Sequence, residues 1–314
     1  MKGKAATVSE KSKVLVITST IDKTIDYIEE KYRDIINICR LNVDEFYKYD
    51  IKIGLSEYWV IEHEKWKLSK CDTKSIYYRK PMLPKLDEFE PCYRNMICRD
   101  IIAVINGIVD DFDGKVLTKP YILRKTENKI YQLLYANKHN LLMPESFIGN
   151  SIEGANELLE YRSIIKPITT GKILDGQIKE LYNTNYCNEI VEDISLMPIY
   201  LQRYIDKKYE VRVTFIDDNF FAVKILTEEK LDWRKDYGKI SYSVIECPKD
   251  IVDKCKKILE DFELKFGAFD FIVNHNDEWV FLEVNPNGQW QWLEVATGIP
   301  ISKYIIDYLK TCGD

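Results

Sequence analysis

Phe281-Leu282-Glu283-Val284-Asn285-Pro286-Asn287-Gly288 begins ten residues after Phe271 closes the triplet Phe269-Asp270-Phe271. Alternation along a strand puts Phe281, Glu283 and Asn285 on one face, and Asp270 on the matching face of the strand before it. A hairpin closed through His275-Asn276-Asp277-Glu278 sets Asn274 against Trp279 and Asp270 against Glu283. Two carboxylates then oppose each other with no basic residue in the segment. Like charges facing across a sheet are destabilising, so such a pair points to a cation held between them. Oxygen donors without imidazole or thiolate select a hard ion, and the expected one is Mg²⁺ bridging the phosphates of a substrate. The plainer alternative is the solvent-facing side of an ordinary hairpin.

These residues resemble the metal-binding strands of the ATP-grasp superfamily, whose pattern is an Asp on one strand and Glu-x-Asn on the next. The continuation Asn285-Pro286-Asn287-Gly288-Gln289-Trp290-Gln291-Trp292-Leu293-Glu294 resembles more closely the ATP-grasp ligases that mature microviridins and related graspetides. Those enzymes join side chains within a ribosomally made precursor peptide. The resemblance is dense from about Lys119 to Tyr308 and thinner before that. It implies an α/β (α+β) chain with the ATP-grasp fold in three parts. An N-terminal parallel α/β domain would span 1–118, a small central lid 119–200, and an antiparallel-sheet domain with the ATP and metal site 201–314.

Composition agrees with an enzyme of this kind and says little more. A chain of 314 residues, 46% hydrophobic and 31% charged, buries an ample core and has room for two or three domains. Its formal net charge of -6 argues against a non-specific nucleic-acid binder. No apolar run is long enough to span a bilayer, and Met1 to Lys13 lacks the apolar core of a signal peptide, so a cytoplasmic protein with no membrane partner is expected. The eight cysteines form no Cys-x-x-Cys pair, which predicts reduced thiols, and the three histidines are dispersed.

Lys13-Val14-Leu15-Val16-Ile17-Thr18 reads as a buried first strand, followed by a helix from about Asp22 to Tyr32. Ser75-Ile76-Tyr77-Tyr78-Arg79-Lys80-Pro81 reads as another strand, resembling the aromatic-Arg-Arg-Pro signature of graspetide ligases, with Lys80 in place of the second arginine. Arg79 and Lys80 serve either substrate binding or the solubility of a sheet edge. A helix from Pro91 to about Val109 is expected to turn Met96, Ile97, Ile101, Ile102 and Ile105 inward. The acidic turn after it, Asp110 to Gly114, lacks the ligand spacing of a calcium loop. A strand is expected at Leu141–Ser146, a helix from about Lys249 to Glu263, and a final helix from Ile301 to Leu309.

The nucleotide residues follow from the same resemblance. Glu127-Asn128-Lys129 resembles the Asn/Asp-Lys helix start of ATP-grasp enzymes, which implies a phosphate-side or adenine-side role for Lys129, although lysines on exposed helices are commonplace. Lys166 ends the apolar run Ser163-Ile164-Ile165, where solvation is poor unless an anion compensates it; it is expected to reach the α/β-phosphates. Ile168-Thr169-Thr170-Gly171-Lys172 has one glycine where many ATP-grasp lids have several, so a glycine-rich phosphate loop is not expected. Leu201 to Phe215 resembles the hinge and the strand after it: the backbone around Gln202 to Tyr204 would read adenine, and Glu210 would accept from ribose hydroxyls. Alternation puts Glu210, Arg212 and Thr214 on one face and Val211, Val213 and Phe215 in the core. The return strand Phe220 to Ile225 adds Lys224, expected to flank the γ-phosphate together with Arg212; a plain ion pair is the other reading of Arg212. Asp232-Trp233-Arg234 matches a short graspetide-ligase signature that implies Arg234 at the transferring phosphoryl group.

The chemistry so implied uses ATP and Mg²⁺. A side-chain carboxylate of a precursor peptide, leader plus core, takes the γ-phosphoryl group, and a Ser/Thr hydroxyl or Lys amine of the same peptide displaces phosphate to leave an ester or amide. A homodimer is a further expectation of the resemblance. Other readings are a ligase adding a free amino acid to a peptide or protein, a phosphotransferase, and a nucleotide-binding regulator with a dead site. Asp270, Glu283, Asn285 and Lys166 are all present and argue against the last.

Overall fold

Five successive buried residues after Lys13 make the first strand a core strand, as its unbroken apolar run predicts. The computed structural model describes residues 13–54, 58–169, 172–175, 178–181, 184–190, 193–229, 231 and 240–310. No helix among the described residues is long and apolar enough to cross a membrane. The chain up to Tyr121 and from Pro300 onward forms one compact unit, and Ile122–Ile299 forms another.

In the first unit β1 (Lys13–Thr18), α1 (Lys23–Tyr32) and β2 (Asn37–Asn42) open a parallel layer. Asp22 caps α1 by accepting from the Thr24 N–H. An antiparallel trio follows, β3 (Asp50–Gly54), β4 (Tyr58–His63) and β5 (Trp66–Ser69), which the sequence reading did not anticipate. Then β6 (Ser75–Tyr78), α2 (Pro91–Asp110) and β7 (Lys115–Leu117) complete a four-stranded sheet in the order β2-β1-β6-β7. The α2 core stripe is Ile101, Ile105, Ile108 and Val109. Met96 and Ile102, expected inward, are 47% and 42% exposed, because at 100° per residue Met96 lies opposite that stripe and Ile102 just beyond its edge. The C-terminal helix, Ile301–Lys310, packs on β6 and β7, where Leu309 O accepts from Ser75 Oγ at 2.7 Å.

Arg79 is neither a sheet-edge charge nor an exposed ligand. It is buried, with Nε 2.9 Å from Asp22 Oδ2, Nη2 2.9 Å from Thr24 Oγ1 and Nη1 3.2 Å from Tyr77 Oη. The residue therefore ties the end of β6 to the cap of α1, whereas Lys80 is exposed.

The division between the units falls within α3 (Pro120–Thr126); α4 (Lys129–Lys138) follows in the second unit, capped by Asn128, which accepts from the N–H groups of Ile130 and Tyr131. The expected strand at Leu141–Ser146 starts only at Ser146: Leu142 makes a single bridge to Val280, and β8 is Ser146–Gly149. After α5 (Ile152–Leu159) come β9 (Ser163–Lys166), the ribbon of β10 (Lys172–Asp175) and β11 (Ile178–Leu181), β12 (Asn185–Cys187) and β13 (Ile199–Arg203). Four of these form a sheet ordered β12-β9-β13-β8. Its inner face packs Ile199 and Leu201 against Ala155 and Leu158 of α5.

A five-stranded antiparallel sheet completes the unit: β14 (Lys207–Ile216), β15 (Asn219–Leu226), β16 (Ser241–Ile245), β17 (Phe266–Asn274) and β18 (Trp279–Asn285), in the order β16-β15-β14-β17-β18. Val211, Val213 and Phe215 face the core, as their alternation predicts. They meet Phe269, Phe271 and Phe281, and α6 (Lys249–Asp261) covers them with Ile258 and Leu259. Each large apolar side chain so buried contributes about 1.5–3 kcal/mol. The short helix α7 (Gln291–Thr297) follows β18. One face of this sheet is thus apolar and covered, which leaves the other for Glu210, Arg212, Asp270 and their neighbours.

Candidate active site

The hairpin of β17 and β18 pairs Asp270 with Glu283, as alternation requires, but reaches that register by a different route. Trp279 pairs with Val273 rather than Asn274, and the register shifts by one between Asp270 and Phe271, where Leu282 is the extra residue. The turn explains the offset: Asn274 Oδ1 accepts the N–H groups of Asn276 and Glu278, both at 3.0 Å, and Asp277 takes φ 63°. A bulge changes which face a side chain points to. Phe281, expected beside Glu283 and Asn285, is accordingly in the core, while Glu283 and Asn285 stay on the face of Asp270.

The two carboxylates are not without basic partners. Across β14, Arg212 pairs with Asp270, and Nη1 lies 2.9 Å from both carboxylate oxygens. From α4, Lys129 Nζ lies 3.7 Å from Glu283 Oε2. Asn285 Nδ2 sits between the acids, donating to Asp270 Oδ2 at 3.0 Å and Glu283 Oε1 at 3.3 Å. Arg212 Nη2 also donates to Gln289 O at 3.3 Å, and Gly288 packs so closely that a Cβ there would fall 2.5 Å from Nη2. Arg212 Nε and Thr214 Oγ1 on the same face are buried without a hydrogen-bond partner among the described residues.

The other sequence-selected residues form a second cluster in the same unit. Lys129 Nζ donates to Pro167 O at 2.9 Å and lies 6.0 Å from the centre of the Tyr200 ring. Lys166 stands opposite Tyr200 in the β9–β13 register, and its Nζ donates to Gln202 Oε1. The buried Gln202 amide donates in turn to Tyr200 Oη at 2.9 Å and Ser146 Oγ at 3.1 Å. Burial pushes the Tyr200 phenol up to about 12, so it remains protonated. The Glu210 carboxylate accepts from Lys207. At the expected hinge, the N–H groups of Arg203 and Tyr204 donate to Glu145 O and Arg162 O, both at 2.8 Å. The Tyr204 ring packs 4.2 Å from the Arg162 guanidinium.

Lys224 does not join Arg212. The tight turn through Asp217 and Asp218 pairs Ile216 with Asn219, which sets Lys224 opposite Val211 and Arg212 opposite Val223. Residues directly opposed share a face, so Lys224 lies on the Val211 side of the sheet, with Nζ 4.3 Å from the Tyr209 ring centre. Asp232, Trp233 and Arg234 lie outside the described residues. One residue was missed: Gln132 of α4, buried and bonded through its side chain to both backbone groups of Val284. A polar residue on a helix reads as solvent-facing, and its one signal is a three-residue spacing from Lys129, which puts both on one side of α4.

Among the described residues no group of three or more His, Cys, Asp or Glu side chains is arranged to hold a metal. The set here is instead two carboxylates and a carboxamide, all able to offer hard oxygen. It fits a Mg²⁺ ion once the Asn285 amide turns to present Oδ1 and the guanidinium and ammonium groups yield the carboxylates.

No protein-family model matches the chain. Among curated proteins it is similar to the alpha-aminoadipate–LysW ligase LysX of Sulfurisphaera tokodaii, 24% identical over 221 residues, covering 65% of this chain and 74% of LysX. Among solved structures it is similar to a Chryseobacterium gregarium RiPP-associated ATP-grasp ligase in complex with ADP and a leader and core peptide. That match has a TM-score of 0.85 and 26% identity, and covers 95% of this chain and 96% of the other. The macrocyclase MdnC of Microcystis aeruginosa, bound with the precursor peptide MdnA, matches at a TM-score of 0.85 and 22% identity, over 95% of this chain and 99% of its own.

Proposed function

We propose that this chain, an ATP-dependent ligase of the ATP-grasp superfamily, activates Asp or Glu side chains of a ribosomal precursor peptide and links them to Ser/Thr hydroxyls or Lys amines of the same peptide. The observation that carries the reading is the face of Asp270, Glu283 and Asn285 with Arg212 and Lys129 on it. It lies in a chain alike over 95% of its length to a ligase solved with a leader and core peptide.

Asp270, Glu283 and Asn285 would hold Mg²⁺, which when bound neutralises phosphate charge. Lys129 and Lys166 would bind nucleotide phosphates, Gln202 and Tyr204 would flank the base, and Glu210 would take the ribose. A substrate carboxylate oxygen bonds to the γ-phosphorus as the bond to the β-phosphate oxygen breaks, releasing ADP. Arg212, lifted from Asp270, would neutralise the equatorial oxygens, and on the strength of sequence alone Arg234 would share that task. The hydroxyl or amine then bonds to the acyl carbon, loses its proton, and inorganic phosphate leaves. Each link removes one water from the peptide and converts one ATP to ADP and phosphate. No protein nucleophile is needed; positioning and electrostatics suffice.

Incubation with ATP, Mg²⁺ and the short peptide encoded beside its gene tests the reading by mass spectrometry. Loss of one water per link supports it. LysX favours a second reading, addition of a free amino acid, which would raise the peptide mass by one residue and require that amino acid. A lasting phosphate adduct would mark a phosphotransferase. Either gain in mass, in place of water loss, overturns the macrocyclisation reading. A homodimer, expected from the resemblance, is tested by size-exclusion chromatography, where elution at the mass of a single chain would count against it.

A further inference from the structure

Among the described residues β18 is the outer strand of its sheet, with β17 as its one strand neighbour. An outer strand leaves a row of N–H and C=O groups for which the sheet has no partner. Two contacts from the preceding segment close that row here. Leu142 O accepts from Phe281 N–H at 2.8 Å. Further along, Gln132 Oε1 accepts from Val284 N–H at 3.1 Å while Nε2 donates to Val284 O at 2.8 Å. The side-chain amide thus acts as a peptide group in a ladder, and Val284, held at both polar groups, lies between Glu283 and Asn285. The amide has a third bond, from Nε2 to Thr126 O at 2.7 Å, and Gln132 is 5% exposed.

Such an amide is costly to bury unless all its bonds are made, and its three bonds fix its orientation. A backbone fixed at one residue directs the side chains on either side of it. We propose that Gln132 is a positioning residue that sets Glu283 and Asn285 against Asp270. The inference rests on the reading of that face as a Mg²⁺ site. The side-chain bonds of Gln132 run to Thr126 and Val284, so it acts on the acids through Val284. Nothing in its surroundings calls for a carboxylate, because Val284 O and Thr126 O both need a donor.

Calorimetric titration of the full chain with AMPPNP, first in EDTA and then in Mg²⁺, separates this role from a merely structural one. Wild type should bind tighter with Mg²⁺, and the ratio of the two affinities reports the metal site. Gln132→Leu should keep a cooperative thermal transition and its affinity in EDTA, but lose about ten-fold or more of the Mg²⁺-dependent gain, the usual cost of removing a group that orients metal ligands. Gln132→Glu keeps the acceptor for Val284 N–H and loses the two donations; it should lose the same gain, and it carries the test if the leucine variant does not fold. A folded variant with the full wild-type gain overturns the proposal, as does an equal loss in EDTA and in Mg²⁺. A wild type with no gain at all would instead overturn the metal site on which the proposal rests. No peptide enters the experiment, so failure of the peptide reaction leaves its outcome untouched.

Discussion

Glu283 and Gly288 mark two ways in which a single residue governs this site. Replacing Glu283 with Gln keeps the shape and removes one of two carboxylates that a partly hydrated Mg²⁺ can hardly replace. The variant is expected to fold as wild type by circular dichroism and to lose Mg²⁺-dependent ATP turnover; wild-type turnover would sink the metal assignment. Gly288 acts by having no side chain. A Cβ there would lie 2.5 Å from Arg212 Nη2 and 3.0 Å from Ala268 Cβ, and Arg212 has little freedom to retreat while it is bonded to Asp270. Gly288→Ala should therefore destabilise by about 1–3 kcal/mol in chemical denaturation and lower turnover, whereas Gly54→Ala, with nothing among the described residues within 4 Å of its Cβ, serves as the control without a clash. The opposition of Asp270 and Glu283 was expected from the sequence, but through a shorter turn; the Leu282 bulge is what produces it. The partnership of Arg212 with Asp270 was not legible, because these residues, on strands that pair in space, lie 58 positions apart in sequence.

At the scale of elements, what could be read was whatever a local period decides. β1, α1, α6 and the core face of β14 follow from apolar spacing. What could not be read was set by turns. The connection through Asn274 to Glu278 is one residue longer than the sequence suggests, and Leu282 takes up the difference. The turn at Asp217 and Asp218 places Lys224 on the far face from Arg212. The trio β3 to β5 has mixed exposure and carries no strong alternation in β3. Helices meet by similarly unannounced contacts: at the ends of α4 and α6, Asp261 Oδ2 lies 2.7 Å from Lys138 Nζ and 2.6 Å from His139 Nε2. The hydrogen bonds from Lys138 and then His139 hold the Asp261 carboxyl below its ordinary value. A depressed folded-state value adds stability above the unfolded carboxylate pKa and loses it as the pH falls through the folded one. Asp261→Asn should thus lower Tm slightly at neutral pH and have no further effect in acid, so the two melting curves should converge as pH falls below about 4. A constant offset across that range would show that the pairing does not titrate.

For the molecule as a whole, the resemblance in sequence gave the superfamily, and the sheets arrange the candidate-site residues within the unit Ile122–Ile299. The candidate site there carries its own positive charge: Arg212 on Asp270, Lys129 near Glu283, and the Asn285 amide hydrogens between the acids. The arrangement resembles an ion exchanger in its resting form. On the proposed reading a dication would not fill a void; it would take the place of fixed counter-ions, which would become available to the triphosphate that accompanies it. Mg²⁺ without nucleotide must compete with tethered cations and should bind weakly. A triphosphate draws the same cations away, so each ligand should raise the affinity for the other. Removing the metal should also leave the fold intact, unlike a domain that depends on a structural zinc. Tm measured by calorimetry in excess EDTA is expected to equal that of untreated protein, and a large fall would assign the metal a structural share. A cell could then hold this protein ready through swings in free Mg²⁺, its acidic face already charge-balanced, with metal uptake deferred until a nucleotide arrives.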